Sequence, residues 1–555
     1  MCNVCEFIGG DFKEWGQFMK EDEDEERSMK KTDNVVFLSA PTGTGKTTFI
    51  LHSFSDFVVR EKKGRILILV PRIILQSQME NILKKFFIGK DDLQKYLSSI
   101  RIMTYQALEN AIWRGEEIGK FYAVVCDEAH YFVQDILFNP NAQASFDWLC
   151  NFISNKQGLV ICQSATLDLF QETLVKKLKL KPVKAELDSN KQRCGKLRAG
   201  FVRAGEYLGA YYEYRMEREL SDEKIAVQYL VNREEMENIL IRAEGKRLCF
   251  VSNKKHGEEL EKSLRSNGTN VLFVSAENKE TDGMEAVSSL VCDSTFPSDV
   301  LIATSVLDVG VNILDAKVST VILDTYDQTT FIQMLGRIRL VKEQKVTVYI
   351  FRRDVRYFKN WRDTLMPRIQ FLFDMFHIPE EYWAINIIRK LQSNKYVDAC
   401  AFHEYEGRLR FNSLLQRKLG SQLVEFDEII AGLEEDSEYF IKKQLSWLGL
   451  DETFSAQNYA SVANRKQRRN ELIVAIQKKC KLSCKESLTK EEISETLQNI
   501  KEDVRGLDKQ YLRSNEKLSV EKFRFICQNE HLPFYVVQRE AERKQVYWLI
   551  DLSKE

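Results

Sequence analysis

At 555 residues the chain is too long for a single hydrophobic core, and its length calls for roughly three or four domains. Hydrophobic residues at 44% and aromatics at 11% supply ample core material, which excludes wholesale disorder. The 81 basic and 82 acidic residues leave a net charge of -1, which excludes a global pull toward nucleic acid or membrane, so any such surface has to be local.

The first residues, Met1-Cys2-Asn3-Val4-Cys5, lack the basic segment and apolar run of a secretory signal, and no stretch approaches the roughly 18 apolar residues of a membrane span. A soluble, cytoplasmic protein is expected. Twelve cysteines are sparse for this length, and Cys126, Cys162 and Cys249 lie inside apolar runs where a thiol packs as a small hydrophobe, so reduced, buried thiols are expected. Residues 1–33 read as a poor core segment, with the solvated like-charge run Glu21-Asp22-Glu23-Asp24-Glu25-Glu26.

From Asn34 the texture changes. Val35-Val36-Phe37-Leu38 leads into a glycine loop and a helix-spaced stretch from Thr47 to Val59. Arg65 to Val70, Ile100 to Thr104, Ala123 to Cys126 and Leu159 to Cys162 are further short apolar runs between helical segments. Runs apolar on both faces predict a parallel sheet covered by helices, so residues 34–190 form a first α/β domain. Residues 191–221, basic and tyrosine-rich, form a connection. In residues 222–355 the pattern repeats, with strands predicted at Leu248 to Val251, Val271 to Val274, Val300 to Ala303, Val318 to Leu323 and Val346 to Phe351, and without a second phosphate loop. Helical periodicity then fills an accessory region over residues 356–485, punctuated by Gly420 and Gly449. Residues 486–555 carry helices at Lys490 to Lys501 and Ser519 to Asn529. A hairpin of Phe534 to Val537 and Gln545 to Ile550 follows, completing the outline of a winged-helix-like module.

Four short strings carry the chemistry. Ala40-Pro41-Thr42-Gly43-Thr44-Gly45-Lys46-Thr47-Thr48 joins a strand to a helix. Its glycines let backbone N–H groups face phosphates, Lys46 neutralises phosphate oxygens, and Thr47 offers a hydroxyl to Mg2+. Asp127-Glu128-Ala129-His130 ends a strand about 80 residues on, where Asp127 suits the metal and Glu128 a proton from attacking water. Ser164-Ala165-Thr166 ends another strand. Gln333-Met334-Leu335-Gly336-Arg337-Ile338-Arg339 supplies arginines to a transferred phosphoryl group.

These strings, in this order, resemble a superfamily 2 DEAD/DEAH-type helicase over residues 34–351. The resemblance implies two tandem RecA-like parallel-sheet domains, ATP with Mg2+, and a nucleic-acid strand across both domains. It implies that Pro71, Arg72, Thr104, Tyr105, Gln106, Ser252 and Thr304 meet nucleic acid, and that His130, Ser164 and Thr166 couple hydrolysis to the strand. Within Ala303 to Asn312 it places Asp308 and Gly310 near the nucleotide, with Asn312 where aspartate is more usual. Arg337 is implied as an arginine finger. Arg339 stands one residue earlier than the family's second arginine, whose position is taken by Leu340. The Gln333 to Arg339 wording is similar to herpesvirus origin-binding helicases and to helicases of bacterial mobile elements. Asp127 to Phe132 with Phe138-Asn139, and Gln444 to Gly449, resemble helicase-like proteins of Firmicutes and their phages. No glutamine motif of DEAD-box RNA helicases precedes the phosphate loop. The expectation is therefore a DNA helicase or translocase, whose 3′-to-5′ direction is implied by the resemblance alone, with an RNA helicase or an ATP-switched nucleic-acid sensor or scaffold in anti-phage defence as alternatives.

Three other features have two readings each. Arg352, Arg353, Arg356, Lys359 and Arg362 interleave with Phe351, Tyr357, Phe358 and Trp361, which suits phosphates and stacked bases, or a helix that buries its aromatics while its cations reach solvent. Arg465 to Lys485 holds eight basic residues and one acidic residue, Glu471, which suits a solvated face or a nucleic-acid contact. Cys480, Cys484, Cys527 and His531 could supply zinc ligands, but their i, i+4 spacings favour ordinary helix packing.

Overall fold

The structure is a computed structural model that describes residues 3–13, 15, 34–87, 93–182, 209–216, 224–275, 288–290, 293–304, 312–341, 343–405, 407–449, 454–480, 482, 487–507, 512, 516–541 and 544–551. It divides into two compact units, Met1–Val227 with Met236–Phe454, and Gln228–Glu235 with Ser455–Glu555. Asp308 and Gly310 lie outside the described residues, as do Cys484 and the acidic run at 21–26.

The first unit holds two α/β lobes. In the first lobe, strands β1 (Val35–Ser39), β2 (Ile66–Val70), β3 (Ile100–Thr104), β4 (Ala123–Asp127), β5 (Leu159–Ser164), β6 (Leu180–Pro182) and β7 (Gly209–Arg215) form a sheet in the order β3-β2-β4-β5-β1-β7-β6. Every pairing in it is parallel. All residues of β1, β2, β4 and β5 are buried, as expected of strands covered on both faces by helices. The order sets the ends of β1, β4 and β5 side by side, with Ser39 opposite Ser164 and Asp127 opposite Gln163. A crevice at the carboxyl ends of parallel strands is where such sheets place ligands.

In the second lobe, β8 (Ile225–Leu230), β9 (Lys246–Val251), β10 (Val271–Val274), β11 (Val300–Ala303), β12 (Val318–Asp324) and β13 (Val346–Phe351) form a sheet in the order β10-β11-β9-β12-β13-β8. β10–β11, β11–β9, β9–β12 and β12–β13 pair in parallel. The two tandem parallel-sheet domains expected from the sequence are present, and a mostly helical region follows them.

Four expectations need correction or completion. Residues 3–13 and Trp15 belong to the first lobe's core, although the segment read as a poor one. Val4, Ile8, Phe12 and Trp15 are buried, and the Trp15 ring meets Phe12, Phe49, Phe54 and Tyr214. The tyrosine-rich connection contains a strand, because β7 pairs with β1 and sets Tyr211 against Phe37. Within the accessory region, β14 (Phe402–Tyr405) and β15 (Arg408–Phe411) form an antiparallel hairpin, where helix was expected throughout. Gly407 supplies its left-handed turn at φ 72°. The basic and aromatic segment after β13 is used for packing: Phe358 is buried, Arg353 pairs with Asp324, and Arg352, Lys359 and Arg362 pair with Glu438, Glu434 and Asp427.

The second unit has its own core, built from helices Ala460–Lys479, Lys490–Asn499, Lys501–Leu507 and Val520–Asn529 with the antiparallel hairpin β16 (Phe534–Ala541) and β17 (Lys544–Asp551). Thr489 and Glu492 cap the second of these helices reciprocally, and Leu488 exchanges both backbone hydrogen bonds with Tyr547 of β17. Helices followed by a hairpin match the outline read from the sequence. Cys480 and Cys527 lie in this core, and burial pushes their thiols up to about 11 and about 12. Among the described residues no helix is long and apolar enough to cross a membrane, and no group of three or more His, Cys, Asp or Glu is placed to hold a metal ion.

Candidate active site between the two lobes

The glycine loop leaves β1 and turns into a helix through two left-handed glycines, Gly43 at φ 88° and Gly45 at φ 94°. A side chain at either would be strained, and one at Gly43 would also strike the Arg339 guanidinium. Lys46 follows at once. Its Nζ donates to the carbonyls of Ala40 (2.6 Å) and Pro41 (3.0 Å), while Thr44 Oγ1 donates to Pro41 (2.8 Å), so the loop is tied to its own backbone. Burial lowers the Lys46 pKa, against the opposing pull of Glu128 and Asp127. The helix continues with a π-helical stretch at Phe49–Phe54, and the N–H of Val4 donates to the carbonyl of Thr44 (3.1 Å).

Asp127 closes β4, and Glu128 takes a left-handed conformation at φ 50°, uncommon for a residue with a β-carbon and concentrated at functional sites. That turn carries its carboxylate toward β5. There Ser164 Oγ donates to Glu128 Oε2 (3.0 Å), His130 Nδ1 lies 2.8 Å from Ser164 Oγ, and Thr166 N donates to the same hydroxyl (3.2 Å). The residues expected to couple, His130, Ser164 and Thr166, thus form one network with the expected base. Burial raises the Asp127 carboxyl, and the neighbouring Glu128 charge adds to it. Burial pushes Glu128 up as well, but the contact with His130 and the charges of Lys46 and Arg337 outweigh it and hold Glu128 low. Glu128 is thus held ionised.

The second lobe closes the site from the opposite side. Helix Gln328–Gly336, capped by Asp327, ends beside Glu128. Gln333 Nε2 approaches Glu128 Oε2 (3.5 Å) and Thr166 Oγ1 (3.4 Å), while Arg337 donates to Gln333 Oε1 (3.1 Å) and stands 3.8 Å from Glu128 Oε1. Arg339 is held by Asn312 Oδ1 (3.1 Å). Gly336 faces Thr42 across the cleft, where a β-carbon would fall 2.8 Å from Thr42 Cγ2 and 2.9 Å from its Cβ. The cavity between the lobes, about 390 Å³, is lined by Thr42, Gly43, Gly45 to Thr48, Asp127, Glu128, Asn312, Arg337 and Arg339.

Three cations, a loop turned by two left-handed glycines and two buried carboxylates fit a nucleoside triphosphate and a divalent ion. Thr47 and Asp127 are the residues that would hold Mg2+, which when bound supplies positive charge to the phosphoryl oxygens. Glu128, ionised and aimed into the cleft, can accept a proton from water. Arg337 can meet charge that develops on a phosphoryl group.

Residues expected at nucleic acid are dispersed more widely. Arg72 forks onto Asp135 (2.8 and 3.4 Å) and, with Phe138, Ser252, Tyr326 and Trp361, lines a cavity of about 220 Å³. Thr104 is buried and its hydroxyl caps the helix Tyr105–Trp113, whereas Gln106 is exposed. Thr304 follows β11, and its N–H donates to the Val274 carbonyl. Tyr105 is a core residue: its ring stacks on Tyr131 and its hydroxyl donates to the Asp127 carbonyl (3.0 Å). Sequence reading missed Gln163, whose amide donates to Asp127 Oδ1 (2.7 Å). Its signal was a polar side chain inside an otherwise apolar strand, directly before Ser164.

Residues 25–174, a stretch that takes in most of the first lobe, match the family model described as DEAD/DEAH box helicase. Among solved structures the chain is similar to Dbp5 of S. cerevisiae bound to RNA and ADP BeF3, at 18% identity and a TM-score of 0.39, covering 58% of this chain and 80% of that one. It is also similar to a variant of S. cerevisiae Dbp5 bound to a Gle1 variant and IP6, at 19% identity and a TM-score of 0.36, covering 60% and 80%. No curated protein matches the chain.

Proposed function

We propose that the protein is an ATP-driven nucleic-acid helicase or translocase that hydrolyses ATP with Mg2+ between its two lobes and uses lobe closure to move a strand. The observation that carries this reading is the approach of Gln333 and Arg337 from the second lobe to Glu128 of the first. An NTPase confined to one lobe has no need of that approach. A motor does, because hydrolysis then depends on closure, and closure can be felt by a bound strand. DNA is the strand proposed, with contacts to its backbone and little preference for sequence. RNA is the same-class alternative.

The test is ATP hydrolysis by the full chain with and without single-stranded DNA or RNA, with Glu128→Gln as control. Stimulation by DNA that the substitution abolishes supports the reading. Stimulation by RNA alone moves the substrate to RNA. Hydrolysis indifferent to both strands, in folded protein that binds ATP, overturns the motor.

A further inference from the structure

The accessory helix Ser413–Glu435 reaches both lobes. At its start, the Ser413 hydroxyl and the Leu414 N–H both donate to Gln143 Oε1 (3.2 and 2.9 Å), and Arg417 pairs with Glu172 (2.7 Å), all on the first lobe. One residue on, Lys418 turns to the second lobe and meets Asp327 Oδ2 at 3.4 Å. Lys418 is 4% exposed, an uncommon place for a lysine.

Asp327 is the cap of the helix that carries Gln333 and Arg337. Its Oδ1 accepts from the N–H and the hydroxyl of Thr330 (2.8 Å each) and from Gln134 Nε2 (3.3 Å), and Gln134 closes the short helix that follows His130. One carboxylate therefore holds together the start of the finger helix, the segment after the acidic motif of the other lobe, and the accessory helix. Burial would raise the Asp327 carboxyl, but the Lys418 ammonium and the Thr330 donors keep it below the usual range, so that it stays ionised.

We propose that Lys418 is a positioning residue for hydrolysis, which acts through Asp327 to fix the finger helix against the Glu128 segment and so ties the accessory region to the hydrolytic centre. This rests on the hydrolytic reading of the cleft. Lys418 touches none of the reacting groups. A carboxylate that loses its ammonium keeps only its Oδ1 contacts to Thr330 and Gln134 and is held less firmly, and the helix it caps carries Gln333 and Arg337 at its far end, where a displacement of about 1 Å suffices to slow chemistry about 100-fold.

The experiment compares Lys418→Met, Lys418→Arg, Asp327→Asn and the double variant Lys418→Met/Asp327→Asn in the full chain. It measures kcat and KM for ATP with single-stranded nucleic acid, equilibrium affinity for a fluorescent ATP analogue, and the melting temperature. The expected result is a loss of kcat of about tenfold or more in Lys418→Met, with KM and analogue affinity within about threefold of the parent. Lys418→Arg should regain most of that kcat, and the double variant should be no slower than Asp327→Asn alone. Parent-like kcat in Lys418→Met overturns the inference, as does a loss that follows the fall in melting temperature and is not regained by arginine. Either can occur while the parent hydrolyses ATP, which leaves the hydrolytic reading standing; a folded parent without hydrolysis overturns both.

Discussion

Replacing Gly336 by alanine puts a methyl group where the two lobes meet. The new carbon would stand 2.8 Å from Thr42 Cγ2 and 2.9 Å from its Cβ, and nearer still to Oγ1. Carbon atoms pack at about 3.5–4.0 Å, so the lobes must part by roughly 1 Å or the loop must give way. The loop is poorly able to give, because Lys46 and Thr44 tie it to its own carbonyls and Val4 ties it to the amino-terminal helix. Separation is the easier relief, and it withdraws Arg337 and Gln333 from Glu128. A 1 Å misplacement of a catalytic group is worth about 100-fold, so Gly336→Ala should lower kcat by about that factor, while KM for ATP, set largely by the first lobe, changes little. Steady-state hydrolysis at saturating single strand gives both constants. Adding Thr42→Ala removes Oγ1 and Cγ2 and should recover part of the lost kcat relative to Gly336→Ala alone. A kcat for Gly336→Ala within threefold of the parent would refute the claim that this close approach is the hydrolytic arrangement.

Trp15→Ala should destabilise the first lobe by about 3–5 kcal/mol, since it removes a buried ring packed on Phe12, Phe49, Phe54 and Tyr214. Denaturant unfolding measures it, and a change below about 1 kcal/mol would mean that the segment is not integral to the core. Burial, and then the charge of Asp327, push the Glu425 carboxyl up to about 7, so the folded chain keeps a proton that the unfolded chain has already released. The stability this contributes is complete below about pH 4 and is lost as pH rises through about 7; allowing for its partial exposure, about 2 kcal/mol is at stake. Urea melts from pH 5 to pH 8 should show a decline that Glu425→Gln flattens, and equal slopes for parent and variant would refute the assignment.

The proposed hydrolytic site was legible because each of its parts demands particular residue types at a strand end. A glycine loop before Lys46, paired carboxylates closing β4 and Ser164 closing β5 are local patterns, and a parallel sheet brings such ends together. What closes the site was legible only in part. Gln333 and Arg337 stand out by their spacing, but Asp327 and Lys418 do not, because an ion pair between distant segments leaves no local pattern. The amino-terminal helix was overlooked for another reason: the acidic run that follows dominates the composition. Val4, Ile8, Phe12 and Trp15 nevertheless recur at helical intervals and are buried. β7 was hidden by its basic surroundings, although its tyrosines have high strand propensity. Strands of four residues, like β14 and β15, are too short for alternation to stand out from helical neighbours.

The left-handed turn at Glu128 has a consequence for evolution and engineering of this chain. A glycine there would relieve backbone strain of about 1 kcal/mol or more while deleting the carboxylate proposed to accept the proton. Heat tolerance and turnover therefore pull this position in opposite directions. A library screened for robustness alone should enrich inert sequences at residue 128, and only a screen that demands turnover should keep glutamate in its uncomfortable place.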